Sequence, residues 1–208
     1  MKYSLAIFDF DGTLADTLPW LRGIFNELAD KHDFKRVEPH EYERFRDLHG
    51  AALLRELRLP LWKLPRLLSE TRRRMAEHTG TLSLFPGISE ALHRLEAAKI
   101  QLAIVSSNSR RNVERLLGTN HAALIAHFAC GASIFGKSAK LRHTLQHCSV
   151  PASKAIYIGD EIRDAEAAAK AGTAFGAVTW GQHREEVLRT QNPALIFETT
   201  HEIADKLC

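Results

Sequence analysis

Two aspartates near the start of the chain, Asp9 and Asp11, are separated by one residue and follow an apolar run. If both lie at the end of one buried strand, their charges are costly to bury unless a cation neutralises them. Carboxylate oxygens favour Mg²⁺. A carboxylate beside Mg²⁺ can attack a phosphoryl group, and a second one two residues later can protonate the leaving oxygen and then activate water. In isolation, the same two aspartates are better explained as capping groups at a polar strand end.

The ends of other predicted strands carry polar groups too. Ser106, Ser107 and Asn108 follow one strand, and Asp160 and Glu161 follow another. In a parallel α/β sheet, ligands bind beyond the carboxyl ends of the strands. Carboxylates from two strand ends, with hydroxyl and amide groups from a third, therefore predict a site for a metal and an anion.

Strands and helices alternate along most of the chain, and this pattern predicts the fold class. The predicted strands cover residues 3–10, 101–106, 128–132, 154–158, 174–179 and 195–197. The helices predicted between them begin at residues 88, 110, 137 and 161. Repeated strand–helix units imply a parallel sheet with helices on both faces. We therefore expect an α/β, Rossmann-like core.

A helical block interrupts this alternation after the first strand. Between about residues 17 and 78, leucines recur at helical spacing with charged residues between them. We interpret the block as an inserted all-α subdomain of residues 16–85. Residues 1–15 and 86–208 would then form the α/β core.

The helical block also holds the basic surplus of the chain. Residues 34–78 contain 11 Lys and Arg against 7 Asp and Glu, whereas the rest of the chain has 17 against 18. The run Arg72, Arg73 and Arg74 is best explained as the solvated face of a helix. A sharper hypothesis is that part of the surplus faces an acidic phosphorylated substrate.

The most specific stretch of the sequence runs from Phe8 to Thr17, with the residues Phe-Asp-Phe-Asp-Gly-Thr-Leu-Ala-Asp-Thr. It resembles the first motif, DxDGT[L/V]xD, of the haloacid dehalogenase superfamily of phosphatases. Three further motifs of that superfamily follow in the expected order, so the resemblance spans roughly residues 3–181. It is closest to the subfamily that includes phosphoglycolate phosphatases, whose members carry a small helical C1-type cap after the first motif.

The resemblance implies roles for the residues of the first and fourth motifs. Asp9 would be the nucleophile and a metal ligand. Asp11 would be the acid/base and would bind the metal through its backbone carbonyl. Asp160 would complete the Mg²⁺ shell, and Gly12 and Thr13 would contact the phosphate.

The second motif in this superfamily is an apolar strand that ends in Thr or Ser, usually followed by Asn. Ser107 fits because Asn108 follows it directly, and Ser106 is the alternative. The serine hydroxyl and the next backbone N–H would hold the phosphate oxygens, and Asn108 would take part in phosphate binding.

The third motif is a lysine that pairs with the nucleophile and the phosphate. Lys137 follows a glycine at the start of a predicted helix, and Lys140 is the alternative. In the fourth motif, Gly-Asp-x-x-x-Asp, Asp164 comes one helical turn after Asp160. Asp164 would hydrogen-bond the lysine or a metal-bound water from outside the ligand shell.

These residues together predict a Mg²⁺-dependent phosphatase that hydrolyses a small phosphorylated metabolite, phosphoglycolate-like or a sugar phosphate, through an aspartyl-phosphate. A phosphomutase of the same superfamily would share every core residue, and a catalytically silent protein that binds a phosphate ligand is the non-enzymatic alternative. A 2-haloacid dehalogenase is disfavoured, because those relatives work without Mg²⁺ and lack the acid two residues after the nucleophile.

The composition excludes several other classes of protein. The 208 residues are 45% hydrophobic and 25% charged, as in globular rather than disordered or fibrous chains. The cysteines, at positions 130, 148 and 208, are odd in number and lack CxxC spacing, which argues against a disulfide framework or a zinc site. The net charge of +3 is too small to imply nucleic-acid binding.

The expected setting of the protein follows from the same sequence. No apolar run approaches the roughly 18–20 residues that cross a bilayer. We expect a cytoplasmic protein whose partner is a small phosphorylated metabolite, with no nucleic-acid or membrane partner. The leucines of the helical block are better explained as its own core than as a dimer interface, so we expect a monomer or a weak homodimer.

Overall fold

The computed structural model describes residues 2–131 and 136–208. Its centre is a six-stranded sheet in the order β3-β2-β1-β4-β5-β6, with every neighbouring pair parallel. The strands are β1 Leu5–Phe8, β2 Gln101–Val105, β3 Ile125–Ala129, β4 Ala155–Gly159, β5 Ala174–Val178 and β6 Leu195–Phe197. This is the α/β, Rossmann-like architecture that the sequence predicts.

Ten α-helices connect and cover these strands within the described residues. In chain order they are α1 Leu18–His32, α2 Tyr42–Phe45, α3 Gly50–Glu56, α4 Leu64–His78, α5 Ile88–Ala97, α6 Arg110–Ala122, α7 Lys137–His147, α8 Ile162–Ala171, α9 Glu185–Arg189 and α10 His201–Leu207. Parallel neighbours need crossover connections, and the helices supply them.

The sheet has a separate apolar core on each face, because side chains along a strand alternate between faces. Ala6 and Phe8 of β1 pack in one core with α5, α6 and α10. Leu5 and Ile7 pack in the other core with α7 and α8. All four β1 residues are fully buried, as expected for a strand at the centre of a sheet covered on both sides.

Residues 18–81, here called the helical segment, follow β1 and contain α1–α4. The segment has its own apolar core, formed by Leu28, Ala29, Phe34, Val37, Phe45, Leu57, Leu59 and Leu64. Leu53, Leu54 and Leu67 pack against that core. These leucines, which the sequence shows at helical spacing, therefore stabilise the segment itself. The division of the chain at residues 15/16 and 85/86 stays a prediction.

One strand differs in position from its prediction. The sequence predicts a strand at 128–132, whereas β3 covers Ile125–Ala129, and Ala132 lies outside the described residues. β3 forms one edge of the sheet, so its Ala126 is exposed and His127 is half-buried. Residues 125–127 consequently lack the continuous apolar pattern that marks the central strands.

None of the helices in residues 2–131 and 136–208 combines the length and the apolar character that a membrane crossing requires.

The tight packing between β5 and its neighbours gives a testable prediction about stability. A Cβ on Gly176 of β5 would lie 2.8 Å from Cε2 of the buried Phe197 and 3.1 Å from Cδ1 of Ile156. We expect Gly176→Ala to lower the free energy of unfolding by about 1–3 kcal/mol through overpacking. A Cβ on Gly23, in the middle of α1, would have no heavy atom within 4 Å apart from its chain neighbours and the backbone of its own helix. Gly23→Ala should instead raise the free energy of unfolding by up to about 1 kcal/mol.

Urea denaturation of the two alanine variants and the wild-type protein measures both effects. Equal midpoints for the two variants would contradict this description of the packing around β5.

Candidate active site

The carboxyl ends of the three central strands bring the predicted site residues together. Phe8 of β1 is level with Ile104 of β2 and Ile158 of β4. The residues that follow each strand, among them Asp9 and Asp160, therefore leave the sheet at the same edge. Asp9 is also tied to β4 directly, because its backbone N–H donates to the carbonyl of Ile158 at 2.8 Å.

A buried ion-pair network occupies the centre of this edge. The ammonium group of Lys137 lies 2.5 Å from Oδ2 of Asp9 and 2.5 Å from Oδ1 of Asp164. Lys137 is the first residue of α7, and Asp164 lies in the first turn of α8. All three side chains are at most 4% exposed. The network thus holds β1, α7 and α8 together by charge, in an environment from which water is excluded.

Tyr157 is a member of this network that sequence reasoning missed. Its hydroxyl is buried within β4 and lies 3.1 Å from both Oδ1 of Asp164 and the carbonyl of Val105. The other carboxylate oxygen of Asp164 accepts a hydrogen bond from the Glu161 backbone N–H at 3.0 Å. A tyrosine in an apolar strand carries no signal in the sequence, because its partner lies seven residues further on and meets it only through the turn into α8.

Asp160 is held in a cradle made by two loops. Its Oδ1 accepts a hydrogen bond from the Thr13 hydroxyl at 2.8 Å, and its Oδ2 accepts one from the Gln182 backbone N–H at 2.8 Å. Gly12 has a φ of +77°, and a Cβ there would overlap the Asp160 carboxylate, so glycine is required. Thr13 and Gly12, predicted to contact phosphate, therefore both position a carboxylate in this structure.

Asp11 lies beside this network with a separate set of partners. Its Oδ1 accepts hydrogen bonds from the Thr17 hydroxyl at 3.0 Å and from the Asn108 side-chain amide at 3.1 Å. The same Asn108 amide is 3.1 Å from Oδ2 of Asp11 and 2.9 Å from the sulfur of Met75. Asn108, predicted to bind phosphate, here orients the Asp11 carboxylate.

The second and third motifs each offered two candidates, and the structure separates them. Ser106 is fully buried and its hydroxyl oxygen accepts the Asn108 backbone N–H at 3.1 Å, whereas Ser107 is half-buried. Lys137 reaches the carboxylates, but the ammonium group of Lys140 donates to the carbonyl of Cys130 at 2.7 Å. Of the two lysines, Lys137 is the one that lies in the carboxylate network.

Burial is the largest influence on the pKa values of Asp9 and Asp160. It raises the pKa of Asp9 from 3.8 to about 7, although the charge of Lys137 opposes the shift. Burial likewise raises the pKa of Asp160 well above its ordinary value, and nearby Glu161 and Asp164 add to the shift. Burial lowers the pKa of Lys137, but the charges of Asp164 and Asp9 outweigh it, so that pKa is raised overall.

These residues fit a divalent cation. One carboxylate oxygen from each of Asp9, Asp160 and Asp164 lies within 4.8 Å of the others. Lys137 brings a single positive charge to these three buried carboxylates, and the nearby Arg163 is paired with Glu161 at 2.5 Å. Burial is the main cause of the raised pKa values of Asp9 and Asp160, and the neighbouring carboxylates add to both shifts. An oxygen-ligated cation of charge +2 would offset the negative charge of the carboxylates.

The helical segment covers one side of the site through α4. Met75 of α4 is buried against Asn108. Asn112 of α6 donates to the backbone carbonyl of Arg72 at 2.9 Å, and Arg115 of α6 donates to that of Ala76 at 3.2 Å. The two helices are therefore joined by side-chain hydrogen bonds beside Asp11.

Two arginines of the run on α4 form ion pairs with different acidic residues. Arg73 pairs with Glu77 at 2.6 Å and Arg74 pairs with Glu27 at 2.7 Å, so both face acidic groups of the helical segment itself. The Arg73 side chain is 60% exposed, as expected for a solvated helix face, whereas that of Arg74 is 19% exposed.

The fold and the site together define a class of protein, an α/β protein in which central parallel strands end in buried aspartates and a lysine from the start of α7 lies beside them. The chain matches the haloacid dehalogenase-like hydrolase family over residues 6–178. It belongs to that family.

Two relatives of this chain are named as phosphatases. It is 32% identical to phosphoglycolate phosphatase of Synechococcus elongatus over 95% of this chain and 93% of the relative. It is 28% identical to N-acetylmuramic acid 6-phosphate phosphatase of Pseudomonas aeruginosa over 100% of this chain and 96% of the relative. The crystal structure of CbbY from Rhodobacter sphaeroides, in complex with phosphate, is 25% identical with a TM-score of 0.70, covering 97% of this chain and 96% of that one.

These matches confirm the predicted family, the α/β fold and an enzyme of the phosphoric monoester hydrolase class.

The raised pKa of Asp9 predicts how the metal-free protein responds to pH. The unfolded chain loses the Asp9 proton near pH 4, whereas the folded chain holds it until about pH 7. Between these values the unfolded state binds fewer protons, so the free energy of unfolding falls as pH rises. Asp160, whose pKa is also raised, contributes in the same direction. Urea denaturation in EDTA across pH 4.5–7.5 measures the slope.

Asp9→Asn is the matched variant for this measurement, because it keeps the shape of the side chain and removes the titrating group. We expect a shallower slope for Asp9→Asn in EDTA, because the titrating group is absent. A slope identical to that of the wild type would contradict the assignment of the raised pKa to Asp9.

Proposed function

We propose that the chain is a Mg²⁺-dependent phosphatase of small phosphorylated metabolites that works through an aspartyl-phosphate on Asp9. The observation that carries this proposal is the buried contact between Asp9 and Lys137, with the Asp160 carboxylate within 4.8 Å of that of Asp9. A nucleophile (Asp9), a cation for the phosphoryl oxygens (Lys137) and a further carboxylate for a metal (Asp160) thereby lie together at the carboxyl ends of the central strands.

Asp9 and Asp11 divide the chemistry between them. A carboxylate oxygen of Asp9 forms a bond to phosphorus while the ester P–O bond breaks, and Asp11 gives its proton to the leaving oxygen. Asp11 then takes a proton from water, which attacks phosphorus, releases phosphate and restores Asp9. Burial raises the pKa of Asp11, which favours the protonated form that the first step needs.

Other residues of the site orient these groups and balance charge. Lys137 would bind a phosphoryl oxygen while it stays paired with Asp164, and Asn108 and Thr17 hold the Asp11 carboxylate. Asp9 and Asp160, with the backbone carbonyl of Asp11, would hold Mg²⁺. When bound, the metal supplies charge that offsets repulsion between the phosphate and the carboxylates.

Between the two serines of the second motif, the geometry favours Ser106 over Ser107. Ser106 is fully buried, as are Asp160 and Asp164, whereas Ser107 is half-buried. Its hydroxyl oxygen accepts the Asn108 N–H, so its proton stays available to a phosphoryl oxygen.

The substrate class follows from the relatives and from the helical segment. Phosphoglycolate and N-acetylmuramic acid 6-phosphate are the compounds that the names of two relatives specify. Phosphoglycolate is therefore the first substrate to test, followed by sugar phosphates. The helical segment, whose α4 lies beside Asp11 and Asn108, would act as a cap over the leaving group. A phosphomutase would show the same aspartyl-phosphate with slow loss to water.

Asp9→Asn tests the nucleophile. We expect this variant to keep its fold and to lose at least about 10³-fold of the rate, because the amide cannot form the covalent intermediate. Hydrolysis of p-nitrophenyl phosphate and of phosphoglycolate is measured with Mg²⁺ and with EDTA. Turnover by Asp9→Asn within tenfold of the wild type would overturn the mechanism, and wild-type activity that persists in EDTA would overturn the role of the metal.

Ser106→Ala and Ser107→Ala form a matched pair that tests the second motif. Loss of a hydroxyl that binds a phosphoryl oxygen in the transition state lowers kcat by about 10²–10³-fold. We expect that loss for Ser106→Ala and a change below about tenfold for Ser107→Ala, measured as kcat and KM with phosphoglycolate. The reverse order would assign the role to Ser107.

A further inference from the structure

The loop that follows β5 contacts both Asp160 and the helical segment. Residues 181–184 form this loop, here called the β5 loop. On its inner side, the Gln182 N–H donates to Oδ2 of Asp160 at 2.8 Å, and the His183 N–H donates to the backbone carbonyl of Asp160 at 3.2 Å. Gly181 packs so closely on Asp160 that a Cβ there would overlap its side chain. The position of the β5 loop therefore determines the position of the Asp160 carboxylate.

The outer side of the β5 loop is bound by the residues that follow α2. Nε of Arg46 donates to the carbonyl of Gln182 at 2.9 Å, and its Nη2 donates to the carbonyl of Gly181 at 3.2 Å. Arg184 pairs with Asp47 through both carboxylate oxygens, with Nε and Oδ1 separated by 2.8 Å. These bonds join the helical segment to the loop that holds Asp160.

His183 of the β5 loop is buried at the same contact. The side chain is 2% exposed, and its ring lies 6.3 Å from that of His49 in the helical segment. Both ring nitrogens are buried without a hydrogen-bond partner among the described residues. Buried unpaired polar atoms are costly. If residues 46–49 moved away, His183 would gain contact with water and the loop would lose its bonds to Arg46 and Asp47.

We propose that Arg46 is a positioning residue for Asp160, and that docking of residues 46–49 on the β5 loop is coupled to divalent-cation binding. The inference rests on the proposed function in one respect, which is that Asp160 is a metal ligand. Docking orders the two carbonyls of the loop. The adjacent N–H groups of Gln182 and His183 then hold the carboxylate and the backbone carbonyl of Asp160, respectively, in place for the cation. Coupling between two binding equilibria is reciprocal, so a bound cation strengthens docking by the same factor.

Mn²⁺ is the probe, because electron paramagnetic resonance measures the free ion directly and needs no catalysis. We expect Arg46→Ala to raise the dissociation constant of Mn²⁺ by about 5-fold, the factor that corresponds to the net effect of one hydrogen bond. Arg46→Lys should recover part of the affinity, since lysine can reach one of the two carbonyls.

Arg44→Ala is the matched control. Arg44 lies in α2, two residues before Arg46, but pairs with Glu56 within the helical segment at 3.0 Å. Its removal leaves the β5 loop unchanged, so the affinity for Mn²⁺ should stay at the wild-type value. Arg184→Ala breaks the ion pair to Asp47 without touching Arg46, and it should weaken Mn²⁺ binding in the same direction.

Hydrogen exchange provides the reciprocal measurement. Mn²⁺ should slow amide exchange of residues 46–49 in the wild-type protein, by about the same factor by which Arg46→Ala raises the dissociation constant of Mn²⁺. In Arg46→Ala, Mn²⁺ should have little effect on the exchange of those amides. A purely structural role for Arg46 would change exchange equally with and without the metal.

The outcomes separate this inference from the proposed function. If Arg46→Ala and Arg184→Ala bind Mn²⁺ within about twofold of the wild type, or if the wild type binds none, the coupling is overturned. Hydrolysis that depends on Asp9 and Mg²⁺ would still support the function in the first case. If Mn²⁺ binding follows Arg46 but the wild type hydrolyses no phosphate ester, the coupling stands and the proposed function fails.

Discussion

The ammonium group of Lys137 determines much of the structure around it, because it lies between two carboxylates from which water is excluded. Asp9 leaves the end of β1 and Asp164 lies in the first turn of α8, so a single cation fixes three elements relative to one another. Breaking a buried ion pair leaves an uncompensated charge and is strongly destabilising. Tyr157 adds a neutral donor to Asp164, which satisfies that carboxylate without adding charge.

The same network explains why the site is suited to a metal and a phosphate. Lys137 brings one positive charge to the three carboxylates of Asp9, Asp160 and Asp164, and burial, with the neighbouring carboxylates, raises the pKa values of Asp9 and Asp160. Asp160 nevertheless stays in place because Thr13 and the β5 loop donate hydrogen bonds to it. The protein thus maintains an arrangement that favours a cation, at the edge of the sheet where ligands of this architecture bind.

Much of the fold and the site could be predicted because the relevant signals are local. Apolar strands that end in Asp9 or Asp160 are visible as patterns of a few residues, and the strand–helix alternation then implies a parallel sheet. Other features depend on contacts between distant residues. β3 lies at slightly different bounds from the predicted strand, because an edge strand is only partly buried. The hydrogen bond from the Thr13 hydroxyl to Asp160, 147 residues away, has no signal in the sequence.

By itself, the sequence determined the α/β class, the family and the types of group at the site, since these depend on residue types and on spacing along the chain. Only the tertiary structure decided between Lys137 and Lys140, because the two lie within one turn of the same helix and differ in what packs against them. It also brought Arg46 of the helical segment onto the loop that holds Asp160. The physical reason is the same in both cases: hydrogen bonds and ion pairs between segments far apart in sequence exist only once the chain has folded.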